Sequence, residues 1–302
     1  MGTPQFAVPS LDILIKNGHE ILSVVTVPDK PKGRGQKLGI SEVKQYALDN
    51  NLSVLQPVKL KDEAFINEIK NLNPDLIIVV AFRILPPAIF NIPKFGSFNL
   101  HGSLLPKYRG AAPINWAIIN GDKETGVTTF FLKEKVDTGN IILQEKIEIG
   151  ENDTLGEVYE KLSAIGAGLV LETVREIEKG EIKIQEQKDE HSSPAPKIFK
   201  EDCRINWSKS SDVIHNFVRG LSPHPTAFTM LDGKVLKIYL TNKTEIKSLS
   251  DSGVLLKEGK KLFVNTNDNL LEILELQLEG KKRMKAIDFL NGMDFSKVHR
   301  LE

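Results

Sequence analysis

The chain has 302 residues, 40% of them hydrophobic and 26% charged, and its 40 basic and 40 acidic residues give a formal net charge of zero. This length allows two domains, and the balanced charge argues against a generic nucleic-acid binder, which usually carries a basic excess. A single cysteine, Cys203, excludes a disulfide framework, and without a signal peptide or a long apolar run we expect a cytoplasmic protein with no membrane association.

The first 180 residues alternate between helical and strand patterns. Helices are predicted over 9–18, 41–50, 62–72 and 154–179, and strands over 21–27, 75–81, 97–101, 126–132 and 140–149. A Gly-, Pro- and Lys-rich loop over 28–39 is too long and too charged to be a simple connector. This alternation predicts an α/β fold with a doubly wound, mostly parallel sheet.

The order of elements starts in an unusual place. A doubly wound domain usually opens with a strand, whereas this sequence opens with MGTPQFAVPSL, which reads as a turn that leads into a helix. Either the fold starts with that helix, or the first few residues of the domain are missing. We favour the second interpretation.

The last third of the chain has a different pattern of predicted elements. Residues 188–204 are polar, contain proline and lack periodicity, which predicts a linker. One helix over 211–220 and several short strands separated by Asp-Gly and Glu-Gly turns follow, and they predict a small OB-like β-barrel. We therefore expect a catalytic domain over 1–187, a linker over 188–204 and a β-barrel domain over 205–302.

Asn99 and His101 are the first candidates for chemistry. They lie two residues apart at the end of a predicted strand, so an extended backbone turns both side chains to the same face. In open α/β sheets, sites form beyond the carboxyl ends of the strands. A lone histidine is more often structural, but the amide beside it and the stiff loop GSLLPKYRGAAP behind it favour a site.

Asp137 is the second candidate, in the turn VDTGNII between two strands. Asp-Thr-Gly alone is a weak signal, because aspartate commonly caps turns. An aspartic protease would need a second such motif, and the sequence contains neither a Gly-x-Ser-x-Gly elbow, nor a G-x-G-x-x-G fingerprint, nor a metal-ligand cluster. We interpret Asp137 as a partner that orients His101 or stabilises its charge.

With these residues, the chain resembles the folate-dependent formyltransferases. FNLHGSLLPKYRGAAPINWAI and VDTGNII are similar to the two active-site segments of that family, and MGTPQFAVPSL, VPDKPKGRGQKL and LQLEGKKRMKAIDFLNG match further characteristic stretches in the same order. The resemblance runs from residue 1 to about residue 293. One departure is Phe82-Arg83, where many relatives have Tyr-Gly and one more residue.

The resemblance implies a Rossmann-like catalytic domain in which Asn99, His101 and Asp137 form the catalytic trio. It implies 10-formyltetrahydrofolate as co-substrate, with no tightly bound cofactor and no metal. The acceptor is the amino group of methionine on initiator tRNA, and we expect a monomer. The residues expected to bind folate are Val80, Ala81, Phe82, Ser103, Leu104, Leu105 and Pro106.

The resemblance also implies that the 28–39 loop contacts the acceptor stem of tRNA, through Arg34 and Lys37. Residues 201–302 carry sixteen basic and fourteen acidic residues, so a tRNA contact in the last domain requires a local basic face. Lys281, Lys282 and Arg283 are the candidates for it.

Three other functions stay open on the sequence alone. The same trio could formylate a sugar-nucleotide amine or glycinamide ribonucleotide, although the residues after the linker favour tRNA. An RNA-binding module built on the barrel would leave the trio unexplained. A folate-binding hydrolase that releases formate would not need the 28–39 loop.

Overall fold

The computed structural model describes residues 1–32 and 37–302, and the chain forms two compact units. The N-terminal unit comprises Met1–Pro113, Gly126–Ile147 and Tyr159–Ala195. The C-terminal unit comprises Ile114–Thr125, Glu148–Val158 and Pro196–Glu302. Both units are therefore assembled from segments that are distant in the sequence.

Helices and short strands alternate over the first 195 residues. The helices are α1 (Val8–Lys16), α2 (Glu42–Asp49), α3 (Glu63–Leu72), α4 (Pro87–Phe90), α5 (Pro113–Ile119) and α6 (Leu155–Lys179). The strands are β1 (Val24–Val25), β2 (Lys30–Lys32), β3 (Lys37–Gly39), β4 (Val54–Leu55), β5 (Ile77–Val80), β6 (Ser97–His101), β7 (Arg109–Gly110), β8 (Glu124–Phe131), β9 (Ile141–Glu148) and β10 (Pro194–Ala195). Short 3-10 helices cover Gln5–Ala7 and Asp189–His191.

The N-terminal unit is built around a four-stranded sheet in the order β5-β6-β8-β9. Strands β5 and β6 are parallel, whereas β8 is antiparallel to β6. A second parallel pair, β1 with β4, is linked to this sheet through Gly2, whose N–H donates to Val25 O and which forms a parallel bridge with Val80. The predicted doubly wound α/β class is confirmed.

The strand predicted over 21–27 is reduced to β1. Residues 21–23 lie outside β1, and they line a cavity of about 350 Å³ together with Met1, Leu14 and Ile77. The Met1 ammonium donates to Ile78 O at 2.7 Å, and burial lowers the pKa of this amine to about 5. Asn99, His101 and Asp137 are not among the described residues that line this cavity.

Helix α6 covers one face of the four-stranded sheet. Its buried residues include Leu162, Val170 and Val174. Gly166 lies against Leu100, and a Cβ atom at Gly166 would stand only 2.8 Å from Leu100 Cδ2. Because of this close approach, the face of β6 that carries Leu100 packs against α6, and the opposite face is left for chemistry.

The C-terminal unit contains one curled antiparallel sheet. Its elements are α7 (Ser211–Leu221), β11 (Ala227–Leu231), β12 (Lys234–Lys247), β13 (Leu255–Glu258), β14 (Lys261–Asn265), β15 (Asn269–Leu278), β16 (Met284–Lys285) and α8 (Ala286–Leu290), after a 3-10 turn over Glu201–Cys203. The sheet order is β11-β12-β15-β14-β13, with β16 paired to β15. Residues 300–302 bond both to β11, through Met230, and to Gly253 before β13, so the tail joins the two edges of the sheet. This arrangement is compatible with the predicted small barrel.

No helix among the described residues combines the length and the apolarity needed to cross a bilayer.

His215 is a buried titratable group of the C-terminal unit. It lies on α7, is 2% exposed, and contacts Thr241 Oγ1 at 2.9 Å through Nδ1 and Glu151 O at 3.1 Å through Nε2. Burial is the main cause that lowers its pKa below the ordinary value of 6.5. The folded unit therefore keeps His215 neutral, whereas the unfolded chain takes up a proton below about pH 6.5.

We expect the melting temperature of this unit to fall as the pH decreases from 7.5 to 5.5, because proton uptake then favours the unfolded chain. Fluorescence of Trp207, buried in the same unit, reports the transition. The His215→Gln variant should have a lower melting temperature at pH 7.5, but its melting temperature should fall less when the pH decreases to 5.5. An equal pH dependence in both proteins would contradict the assignment.

Candidate active site

Strand β6 presents Asn99 and His101 on one face. Phe98 and Leu100, which alternate with them, are 0% and 2% exposed and belong to the core. Asn99 pairs in register with Val79 of β5 and Phe130 of β8, which places it in the middle of the sheet. The strand thus brings an amide and an imidazole side by side, as the sequence predicts.

Both nitrogens of the His101 ring have defined neighbours. Nε2 lies 2.8 Å from Tyr108 O, and a carbonyl only accepts, so Nε2 carries a proton. Nδ1 faces Asp137 Oδ2 at 3.9 Å, which is an ion-pair distance but too long for a hydrogen bond. The nitrogen available to exchange a proton is therefore Nδ1. With side-chain exposures of 7% and 12%, the pair is shielded from solvent.

Asp137 lies in the turn between β8 and β9 with φ +55°, in the left-handed region. Its Oδ2 accepts from Gly110 N at 2.9 Å and also faces His101. Gly139 completes the turn where no side chain fits, because a Cβ atom there would stand 1.5 Å from Phe131 O. The structure therefore brings together all three members of the predicted trio.

Thr128 of β8, the register partner of His101, supports the loop after β6. Thr128 Oγ1 donates to Ser103 O at 2.6 Å and accepts from Leu105 N at 3.1 Å, while Gln144 Nε2 donates to Leu105 O at 2.9 Å. The peptide bond between Leu105 and Pro106 is cis. These bonds set the path of the loop beside the trio.

The residues predicted to bind folate differ in accessibility. Leu104 and Pro106 are half-buried, but Leu105 packs into the core with Phe130, and the hydroxyl of the fully buried Ser103 donates to Lys107 O. Ser103 and Leu105 thus support the loop from inside.

At the end of β5, Val80 is buried, Phe82 is half-buried and Ala81 is exposed at φ +48°. Arg83, at the position of the sequence departure, stacks on the Phe82 ring at 5.2 Å and donates to the carbonyls of Pro57 and Val58. It therefore ties the β5–α4 loop to the segment after β4.

Residues 185–195, which we call the return segment, lie against both loops of the site. Tyr108 N donates to Ser193 Oγ, and β10 runs parallel to β7. Arg109 donates to Gln187 Oε1 and to Asp189, and the hydrogen bond from Arg109 is the main cause that lowers the pKa of Asp189. No motif or periodicity indicates these contacts, because most of this segment reads as a polar linker.

The 28–39 loop forms a hairpin of β2 and β3. At its base the Asp29 carboxylate accepts from Lys44 Nζ at 2.6 Å and Gln56 Nε2 at 2.8 Å, and the bond from Lys44 is the main cause that lowers the pKa of Asp29. Lys37 belongs to β3, and Arg34 lies outside the described residues.

The basic run at the turn before β16 is exposed, but its members are not equivalent. Arg283 stacks over Tyr239 at 4.3 Å and is paired with the Glu275 carboxylate. Lys281 and Lys282 extend from the turn itself. Of the three predicted contacts, the two lysines are better suited to a phosphate backbone.

Among the described residues, no group of three His, Cys, Asp or Glu side chains is arranged to hold a metal ion.

Two family descriptions match the chain: "Formyl transferase" over residues 1–174 and "Formyl transferase, C-terminal domain" over residues 197–294. The chain is 48% identical to the methionyl-tRNA formyltransferase of Flavobacterium johnsoniae, over 98% of this chain and 96% of that protein. It is 50% identical to the same enzyme of Clostridioides difficile, over 97% and 95%. Among solved structures, the sugar 3N-formyl transferase WlaRD, crystallised with dTDP and 5-N-formyl-THF, is similar at 24% identity and a TM-score of 0.68, over 93% of this chain and 97% of that one. At that identity the likeness concerns the fold alone.

Gly139 offers a direct test of the Asp137 turn. We expect Gly139→Ala to lower the unfolding free energy by about 2 kcal/mol, because the added methyl group overlaps Phe131 O, and to lower activity by displacing Asp137. Gly168→Ala is the matched control, since that exposed position in α6 has open space and alanine favours helix. Denaturant unfolding of both variants checks this, and equal stabilities would contradict it.

Proposed function

The chain belongs to the formyl transferase family, and from this membership we propose that it is a methionyl-tRNA formyltransferase. It transfers a formyl group from 10-formyltetrahydrofolate to the α-amino group of methionine on initiator tRNA, for translation initiation. The observation that carries the proposal is the 48–50% identity to methionyl-tRNA formyltransferases, which extends over nearly the full length of both proteins. For the sugar formyltransferase alternative the likeness is to solved structures at low identity, such as WlaRD at 24%, and it concerns the fold alone.

We propose that His101 moves the proton of the attacking amine. The amine nitrogen attacks the formyl carbon, and its proton passes to Nδ1, because Nε2 is committed to Tyr108 O. His101 Nδ1 and Asp137 Oδ2 are 3.9 Å apart, so a single atom beside them can lie about 2.9 Å from both. The resulting imidazolium is stabilised by Asp137 and returns the proton to the departing folate nitrogen.

Asn99 stabilises the negative charge that develops in the reaction. As the carbon becomes tetrahedral, the formyl oxygen gains negative charge, and the side-chain amide of Asn99 donates a hydrogen bond to it. The imidazolium of His101 lies on the same face of β6 and adds its positive charge. A preorganised donor of this kind typically contributes about 10²- to 10³-fold in rate.

The co-substrate is bound between the end of β5 and the loop after β6, with Ala81, Phe82, Leu104 and Pro106 as its accessible contacts and with Val80, Ser103 and Leu105 behind them. The folate in the WlaRD structure supports a reduced folate as the formyl donor. No tightly bound cofactor is needed for this chemistry.

Initiator tRNA is contacted by the 28–39 hairpin, through Arg34 and Lys37, and by Lys281 and Lys282 of the C-terminal unit. The Asp29–Lys44 pair holds the base of the hairpin. We propose that the protein acts as a monomer in the cytoplasm, where initiator tRNA is charged.

Substitutions in the trio should separate chemistry from tRNA binding. We expect His101→Ala to lower kcat by at least about 10²-fold and Asn99→Ala by about 10²- to 10³-fold, because each removes a group that acts on the transition state. Arg34→Ala should instead raise KM for tRNA. Formyl transfer to methionine-charged initiator tRNA is the measurement. Wild-type kcat in His101→Ala would refute the mechanism, and transfer to a sugar nucleotide but not to tRNA would refute the proposed acceptor.

The exposed lysines should contribute to affinity through phosphates. The double variant Lys281→Ala, Lys282→Ala should reduce the slope of log affinity for tRNA against log salt by about 2, one for each lost phosphate contact. Lys260→Ala, at an exposed turn of the same unit, is the control and should leave the slope unchanged. Binding titrations at several salt concentrations decide the matter, and equal slopes in the two variants would exclude this basic face.

A further inference from the structure

Asp137 reaches His101 only because an unfavourable backbone turn is held in place. Its φ of +55° lies in the left-handed region, which glycine favours and non-glycine residues adopt uncommonly. Within the turn, Thr138 Oγ1 donates to Lys135 O at 2.8 Å, but both residues belong to the turn itself. A fixed carboxylate therefore requires contacts from outside the turn.

Gln187 of the return segment supplies such contacts. Its Nε2 donates to Asp137 O at 3.0 Å and to Gly139 O at 2.7 Å, so one amide group spans the residues on both sides of Thr138. The opposite atom, Oε1, accepts from Arg109 Nε at 3.1 Å and Arg109 Nη2 at 2.9 Å. Both ends of the Gln187 amide are therefore used, and the two donors on Arg109 determine which end faces the turn.

Arg109 connects this contact to the loop that carries Tyr108. Its side chain is only 13% exposed, which restrains the guanidinium. The next residue, Gly110, donates its N–H to Asp137 Oδ2. Gln187 therefore holds the backbone of the turn, while Gly110 holds the carboxylate. The ion pairs of Asp189 with Arg109 and Lys135 span the same loops, but Asp189 is 67% exposed and such pairs contribute little.

We propose that Gln187 is a positioning residue for formyl transfer. It acts through the backbone of the Asp137 turn, keeps Asp137 Oδ2 opposite His101 Nδ1, and is itself oriented by Arg109. This role rests on the proposed function. It assigns a part in catalysis to Gln187, the last residue of the predicted catalytic domain, directly before the predicted linker.

The amide chemistry of Gln187 provides an isosteric test. Gln187→Glu keeps the shape and the partner for Arg109 but replaces the donor by an oxygen that repels both turn carbonyls. Gln187→Met keeps the length, removes the donor and adds no charge. Gln185→Glu is the matched control, because it makes the same chemical change two residues away on an exposed side chain.

We expect both Gln187 variants to lower kcat by about tenfold to a hundredfold, the range found when a supporting contact of an active group is lost, with KM for tRNA and for the folate near wild type. Gln185→Glu should match the wild type. Arg109→Lys, which keeps the charge but not the paired donors, should lower kcat in the same direction.

Wild-type kcat in both Gln187 variants would overturn the proposal. So would a loss of activity that only follows the loss of folded protein in melting curves, with normal kcat per folded molecule. If the Gln187 variants do not fold, Arg109→Lys decides, and its normal kcat would overturn the role. A wild-type protein that fails to formylate methionyl-tRNA would instead refute the proposed function, so the two failures are distinguishable.

Discussion

The carboxylate of Asp137 is the point at which the two loops of the site meet. One of its oxygens accepts from Gly110 N, in the loop after β6, and faces His101 Nδ1, at the end of β6. Because Tyr108 O fixes the other nitrogen of the ring, the whole geometry depends on where this carboxylate stands. The sheet sets the distance between the two loops, and the hydrogen bonds to Asp137 set the orientation of its carboxylate.

Much of this arrangement could be predicted from the sequence because it is local or periodic. Alternating burial along β6 turns Asn99 and His101 to one face, and the strand is found over the predicted range 97–101. The fold class follows from the order of helices and strands. The strand predicted over 21–27 is shorter because a β-run becomes a strand only where a neighbouring backbone pairs with it, and the pairing with β4 covers Val24 and Val25.

Contacts between polar residues far apart in sequence could not be predicted in the same way. Nothing in the composition of residues 185–195 distinguishes a solvated linker from a segment whose side chains bond to the loops of the candidate site. Likewise, the resemblance implies folate contacts for both Leu104 and Leu105, but only the structure shows that Leu105 packs inward with Phe130 while Leu104 stays accessible. Side-chain direction in an irregular loop follows from its hydrogen bonds, here those of Thr128, and not from periodicity.

The parallel pairing of β10 with β7 has a consequence for the order of folding. Its contacts join residues separated by 85 positions, for example Tyr108 with Ser193, whereas β6 and β8 pair over shorter distances in sequence. Contacts that close long loops carry a larger entropic cost and tend to form late. A nascent chain can therefore assemble its sheet with Asn99 and His101 in place before residues 185–195 fold back. Under the role proposed for Gln187, the site is complete for chemistry only after that later step.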